Sequence, residues 1–253
     1  MTFRIPPLSK KITLIFAGIV LSLALLGFAS RFVQSITSSL ELPYAINYLM
    51  GVLVDLFNVN GEASVPTWFS SVMLLICAGL IAIIAWMKKV EQERYTRYWS
   101  VLAIIFLYLS IDEVAEIHEK LAPPLREFFG ATGFLYFSWV IAGAPLVIIF
   151  ALVYLRFLFH LPPRTRNLFI LAGVLYVGGA IVVESIWAYM WYNGNGSGTP
   201  YLIKSVIEEV LEMSGIVVFI YSLLTFIDLG AWQIQFIPNE TTSIADDAIH
   251  RQE

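Results

Sequence analysis

Six apolar runs, each long enough to cross a bilayer, dominate the chain at about 12–33, 67–87, 98–121, 134–159, 168–191 and 201–228. A hydrocarbon core of about 30 Å, at roughly 1.5 Å of rise per residue, requires about 20 residues of helix. No water in that core can satisfy exposed amides, so each run folds with its backbone hydrogen bonds inside the segment. The expected fold class is therefore all-α: a polytopic membrane helix bundle of about six transmembrane helices. It forms one domain over 1–228, followed by a polar, mobile tail over 229–253. Composition agrees, because 58% of the 253 residues are hydrophobic and 13% are charged, outside the balance of a soluble domain.

The first run follows Arg4, Lys10 and Lys11, as both a signal peptide and a first membrane helix do. Its length favours the helix, since a signal core holds only about 7–15 apolar residues; Ala29-Ser30 remains a cleavage-like pair. Pro66 opens the second run, Pro123-Pro124 follows the third, Pro162-Pro163 follows the fourth, and Gly194 to Gly198 separates the last two. Trp68, Tyr98, Trp99, Tyr136, Trp139, Trp191, Tyr192 and Tyr201 lie near run ends, the positions of interfacial belts. Gly143-Ala144-Pro145 is placed near the middle of the fourth run, and Gly173, Gly178 and Gly179 in the fifth allow a neighbouring helix to approach closely. The single cysteine, Cys77, excludes an intrachain disulfide and reads as a small buried apolar residue.

Alternate segments differ in cationic residues. Arg4, Lys10, Lys11, Lys88, Lys89, Arg94, Arg97, Arg156, Arg164, Arg166 and Arg251 fall on one side, and only Arg31, Lys120, Arg126 and Lys204 on the other. The positive-inside rule places both termini in the cytoplasm. Between the first two runs, Ile46, Leu49, Met50, Leu53 and Phe57 recur at helical spacing, which predicts an interfacial amphipathic helix on the outer surface. Asn58 to Glu62 has the look of part of a calcium loop, but the register puts Leu56 at the first ligand position and Thr67 at the twelfth. An Asn-Gly turn fits better. No basic stripe with interleaved aromatics marks a nucleic-acid partner.

Ionisable residues inside spans carry the functional signal. Ile111-Asp112-Glu113-Val114-Ala115-Glu116-Ile117 and Ile207-Glu208-Glu209-Val210-Leu211-Glu212-Met213 share an acid, acid, x, x, acid pattern at an offset of 96 residues, on helices expected to run in opposite directions. Counting the rise puts Asp112 about 14 Å, Glu116 about 7 Å and Glu184 about 12 Å from the outer helix ends, with Glu208 and Glu212 about 10 and 16 Å inside. On ideal helices Asp112 and Glu116 lie about 40° apart, with Glu113 and Glu119 close by. Such acids cannot face lipid, where even one Asp costs about 2.5 kcal/mol at a helix centre. Lys204 sits one turn from Glu208, and Lys120 and Arg126 lie beyond the third helix.

Asp112, Glu113, Glu116, Glu119, Glu184, Glu208, Glu209 and Glu212 thus outnumber their bases. Either several are protonated or a bound cation supplies the missing charge. A divalent metal ion, Mn, Fe, Ca or Mg, is the leading expectation, although the Glu-x-x-His pair of di-iron bundles is absent. His118 points about 160° from Glu116 on an ideal helix, and joins the group only where the helix unwinds before Pro123. Otherwise it is an interfacial, hydrogen-bonded histidine. His160 and His250 read as solvated.

The stretches NGEASVPTWFSS, LSIDEVAEIHEKL, GFLYFSWV, YVGGAIVVESI and IEEVLEMSGI resemble those of a group of bacterial six-span membrane proteins to which no activity is attached. The resemblance runs from about residue 44 to 228 and implies a multi-pass protein of the bacterial inner membrane. The acids then leave four alternatives open: metal binding, a proton- or cation-coupled transporter, a metal-dependent membrane enzyme, or an accessory subunit with structural acids. The partners expected are the lipid bilayer and further copies or subunits of a membrane complex.

Overall fold

A computed structural model describes residues 8–37, 43–58, 64–194 and 199–229. Among them the helices are α1 (Leu8–Thr37), α2 (Tyr44–Leu56), α3 (Val65–Val90), α4 (Thr96–Ala115), α5 (Ile117–Phe129), α6 (Val140–His160), α7 (Pro163–Val177), α8 (Glu184–Tyr192) and α9 (Thr199–Leu229). A single 3-10 turn, Gly133–Leu135, precedes α6, and a π-helical segment, Gly178–Val183, joins α7 to α8. No strand occurs among the described residues. Six helical stretches are long and apolar enough to cross a membrane: Ser9–Val33, Val65–Val90, Thr96–Ala115, Val140–His160, Pro163–Tyr192 and Ile203–Asp228. The protein is an all-α polytopic bundle whose outward-facing apolar surface meets lipid.

Local chemistry fixes several boundaries. Ser64 caps α3 by accepting the backbone N–H of Thr67 at 3.3 Å, Pro66 occupies its first turn, and Lys88 and Lys89 lie in its last. These are the termini that capping and the helix dipole favour. Glu91 to Tyr95 returns the chain into α4, and Lys88 bridges Glu91 and Glu93 at 3.0 and 2.7 Å. Glu93 also meets His160, at 3.2 Å, so His160 has a partner as well as solvent. Toward the end where α3 begins and α4 finishes, Ser71 Oγ donates to the Ser110 carbonyl at 2.7 Å while Ser110 Oγ donates to that of Ser71 at 2.9 Å. Such reciprocal bonds between small residues hold helices together where lipid removes the hydrophobic driving force.

The core runs between α1, α3, α4, α6, α7 and α9 and is built from residues such as Met73, Leu74, Ile81, Met213, Ile220 and Leu223. Cys77 is fully buried there, in line with its apolar neighbours. Trp99 is also core, with Phe157 edge-on at 5.0 Å and Phe226 at 5.3 Å, so its expected interfacial place is corrected: α4 turns it inward against α6 and α9. Another face of α6 exposes Leu146, Ile149, Leu152, Val153 and Phe159, an apolar wall suited to lipid.

Other sequence expectations are corrected in detail. The third span ends at Ala115 instead of about 121, because Glu116 adopts a left-handed conformation at φ 53°, ψ 41°. Pro123 and Pro124 therefore lie inside α5. The fourth helix begins at Val140, so Gly143-Ala144-Pro145 sits in its opening turns rather than its middle. Of the three glycines in the fifth span, Gly179 alone makes a close approach, whereas a Cβ on Gly173 or Gly178 meets nothing within 4 Å. The helix expected between the first two spans is α2, which packs on α1. The Asn58–Glu62 turn falls mostly outside the described residues, as do Arg4, Asn195 to Gly198, and the tail with His250 and Arg251.

Candidate functional site

The discontinuity after α4 is built around one carboxylate. Asp112 accepts the N–H of Glu116 on its backbone carbonyl at 2.7 Å, which closes α4. Its side chain then reaches past the break: Oδ1 accepts the backbone N–H of His118 at 3.1 Å, and Oδ2 meets His118 Nδ1 at 2.7 Å. One aspartate thus ends a helix with its main chain and starts the next with its side chain, satisfying donors that a helix N-terminus leaves open. An ionised carboxylate only accepts, so Nδ1 carries the shared hydrogen and Nε2 is the ring's second site. Lys120 supports the same junction by donating to the Ala115 carbonyl at 2.5 Å.

The break changes where His118 points. On a continuous helix it lies opposite Glu116; with Glu116 left-handed, it swings back beside Asp112 and packs edge-on against Trp139, ring centroids 4.9 Å apart. Trp139 Nε1 in turn donates to Glu184 Oε1 at 2.8 Å. Gly143, one turn along α6, makes room for that indole, since a Cβ there comes within 2.5 Å of Trp139 Cζ3. Asp112, His118, Trp139 and Glu184 therefore form a contiguous row from α4 to α8.

On the opposite wall, α9 brings Glu208, Glu209 and Glu212. Lys204 pairs with Glu208 one turn away, as its spacing predicts. The fifth span lies hard against α9: a Cβ on Gly179 falls 2.8 Å from Glu212 Cγ and 2.9 Å from the Glu208 carbonyl, and one on Gly215 falls 2.9 Å from both the Ala172 carbonyl and the Tyr176 amide. These glycines set the helix spacing, and the π-helical turn that follows Val177 re-aims Glu184 into the gap, a common use of such segments.

All eight acids line one cavity of about 770 Å³, together with His118, Lys204 and Arg126. Asp112 and Glu208 are buried, Glu113, Glu116, Glu184, Glu209 and Glu212 are half-buried, and Glu119 is exposed. Arg126 is the cation that sequence reading left outside. The left-handed turn carries α5 back over the cavity, where Arg126 Nε donates to the Tyr136 carbonyl at 2.6 Å and the guanidinium lies 3.9 Å from that ring's centre. Trp139 was also missed as a site residue; its only signal was its position one turn before Gly143. The acids share a cavity but do not converge: among the described residues, no group of three or more His, Cys, Asp and Glu is placed to hold a metal ion.

Residues 13–226 match the model of a family described as Domain of unknown function (DUF8692). The chain belongs to this family. No curated protein and no solved structure matches it. Every residue of the described cavity lies within the matched region.

The two similar acidic stretches are not equivalent in the fold. Glu116 occupies the left-handed break, whereas Glu212, at the same place in the second pattern, lies inside the uninterrupted α9. What differs is the surroundings: Asp112 has a downstream amide and imidazole to cap, while the second stretch is clamped along its length by Gly179 and the fifth span.

Proposed function

We propose that this membrane protein binds a cation in the acidic cavity at the end of the bundle that the charge count assigns to the outside. One observation carries the reading: eight carboxyl groups line a cavity that offers Lys204, Arg126 and His118 as bases. Lys204 is already paired with Glu208, and Arg126 is held at Tyr136, so added positive charge relieves like-charge repulsion among the remaining acids. A divalent metal ion is the smallest such ligand; it requires acids from α4, α8 and α9 to draw together around it.

Binding to the full-length protein in detergent tests this, by calorimetry with Mn²⁺, Ca²⁺ and soluble organic ammonium salts. At least one cation is expected to saturate a single site. Glu184→Gln and Glu212→Gln are expected to weaken it at least tenfold, as the loss of a charged contact of about 1.5–3 kcal/mol requires. Titrations without saturable binding by any of these cations rule the reading out.

A second reading, proton- or cation-coupled transport, is favoured by the two backbone irregularities that flank the cavity, the π-helical segment Gly178–Val183 and the left-handed Glu116. Discontinuous helices at a charged cavity are features of secondary transporters. In proteoliposomes under an imposed pH gradient, this reading expects cation flux that Glu212→Gln abolishes; flux no greater than in empty vesicles overturns it.

A further inference from the structure

Resting on the reading that the cavity takes a cation, we infer that its ligand is an organic cation bearing two or more ammonium groups on a flexible apolar chain. The acids are distributed around the walls instead of focused on a point, and no three metal-ligating side chains converge among the described residues. Separated carboxylates match separated positive charges. The volume of about 770 Å³ lies within the roughly 300–1,000 Å³ of small-molecule sites.

The acceptors such a ligand needs are in place. Glu209 and Glu212 are half-buried, turn accessible surface toward the cavity they line, and have no hydrogen bond or ion pair among the described residues. Carboxylates that face a cavity without a protein donor leave acceptor capacity that a ligand's N–H groups can take. The cavity already accommodates one alkylammonium of its own: the Lys204 side chain lies in its wall with the ammonium on Glu208. A second chain of methylenes has apolar cover from Val147 and Ile181, and Trp139 and Tyr176 present aromatic surface to a cation. Carboxylates favour ammonium groups that keep N–H donors, so primary and secondary amines are preferred over quaternary ones.

The test titrates spermidine, tetramethylammonium and Mn²⁺ separately into the full-length protein in detergent. Spermidine is expected to bind saturably at one site, at least tenfold tighter than tetramethylammonium, with affinity falling as salt rises. Glu209→Gln is expected to weaken it at least tenfold, and Glu184→Gln, on a different helix, provides a second test should the first variant lose its fold. Stoichiometric Mn²⁺ binding without spermidine binding overturns the inference while leaving a cation site standing. Equal affinity for spermidine and tetramethylammonium, or full affinity in a folded variant, also overturns it. Binding by none of the three, nor by Ca²⁺, removes both this inference and the cation-binding reading beneath it.

Discussion

Gly179→Val is expected to cause a large loss of stability. Its Cβ alone comes within 2.8 Å of Glu212 Cγ, 2.9 Å of the Glu208 carbonyl oxygen and 3.3 Å of Leu211 Cβ. The Glu side chain can turn aside, but the carbonyl belongs to α9, whose backbone bonds hold it across Thr199–Leu229. The helices must therefore separate, and overpacking of this kind costs about 1–3 kcal/mol for the first added carbons, with more for a branched side chain. Gly178→Ala supplies the control, because the preceding glycine has open space where its Cβ would go. Thermal unfolding in detergent is expected to show a large fall for Gly179→Val, a smaller one for Gly179→Ala, and a shift within about 1 kcal/mol for Gly178→Ala. Equal shifts at the two glycines contradict the close approach.

Asp112→Ala is also expected to destabilise the protein strongly. It deletes the acceptor of both the His118 amide and Nδ1, and each hydrogen bond to a charged group contributes about 1.5–3 kcal/mol. The left-handed Glu116 then loses the contact that offsets its strain of roughly 1–2 kcal/mol. The effect depends on pH through His118, which lies just outside the third membrane span. Burial pushes its pKa down, but the Asp112 hydrogen bond and the charges of Asp112, Glu119 and Glu184 outweigh burial and leave it above the ordinary 6.5. A histidine whose folded value is raised contributes fully below its unfolded value, and the contribution is lost as pH rises through the folded one. The difference in thermal stability between wild type and Asp112→Ala is therefore expected to be greatest below pH 6.5 and to narrow as pH climbs. It does not vanish, because a neutral imidazole still donates from Nδ1. A gap independent of pH means that the imidazole does not sense Asp112.

These two sites also mark how far the chain could be read in advance. The six spans were legible because each is a run whose length and hydropathy admit one solution in hydrocarbon. Lys204 with Glu208 was legible because a four-residue spacing on a helix fixes proximity without any tertiary information. Counting rise put Asp112, Glu184 and Glu212 at one expected level, and the three line one cavity. Helical projection failed at Glu116, because it assumes a continuous helix and Asp112 makes more hydrogen bonds by ending one.

The amino-acid sequence alone determined the all-α bundle and the concentration of acids toward one end, since burial of apolar runs and the cost of charge in lipid are properties of each segment by itself. Tertiary structure decided which side chains join those acids. His118 and Arg126 enter only because α5 folds back after the left-handed turn, Trp139 only because Gly143 leaves space for its ring, and Glu184 takes its aim after the π-helical segment beside α9. Each depends on contacts between segments distant in the chain, whose energies no local pattern of residues encodes.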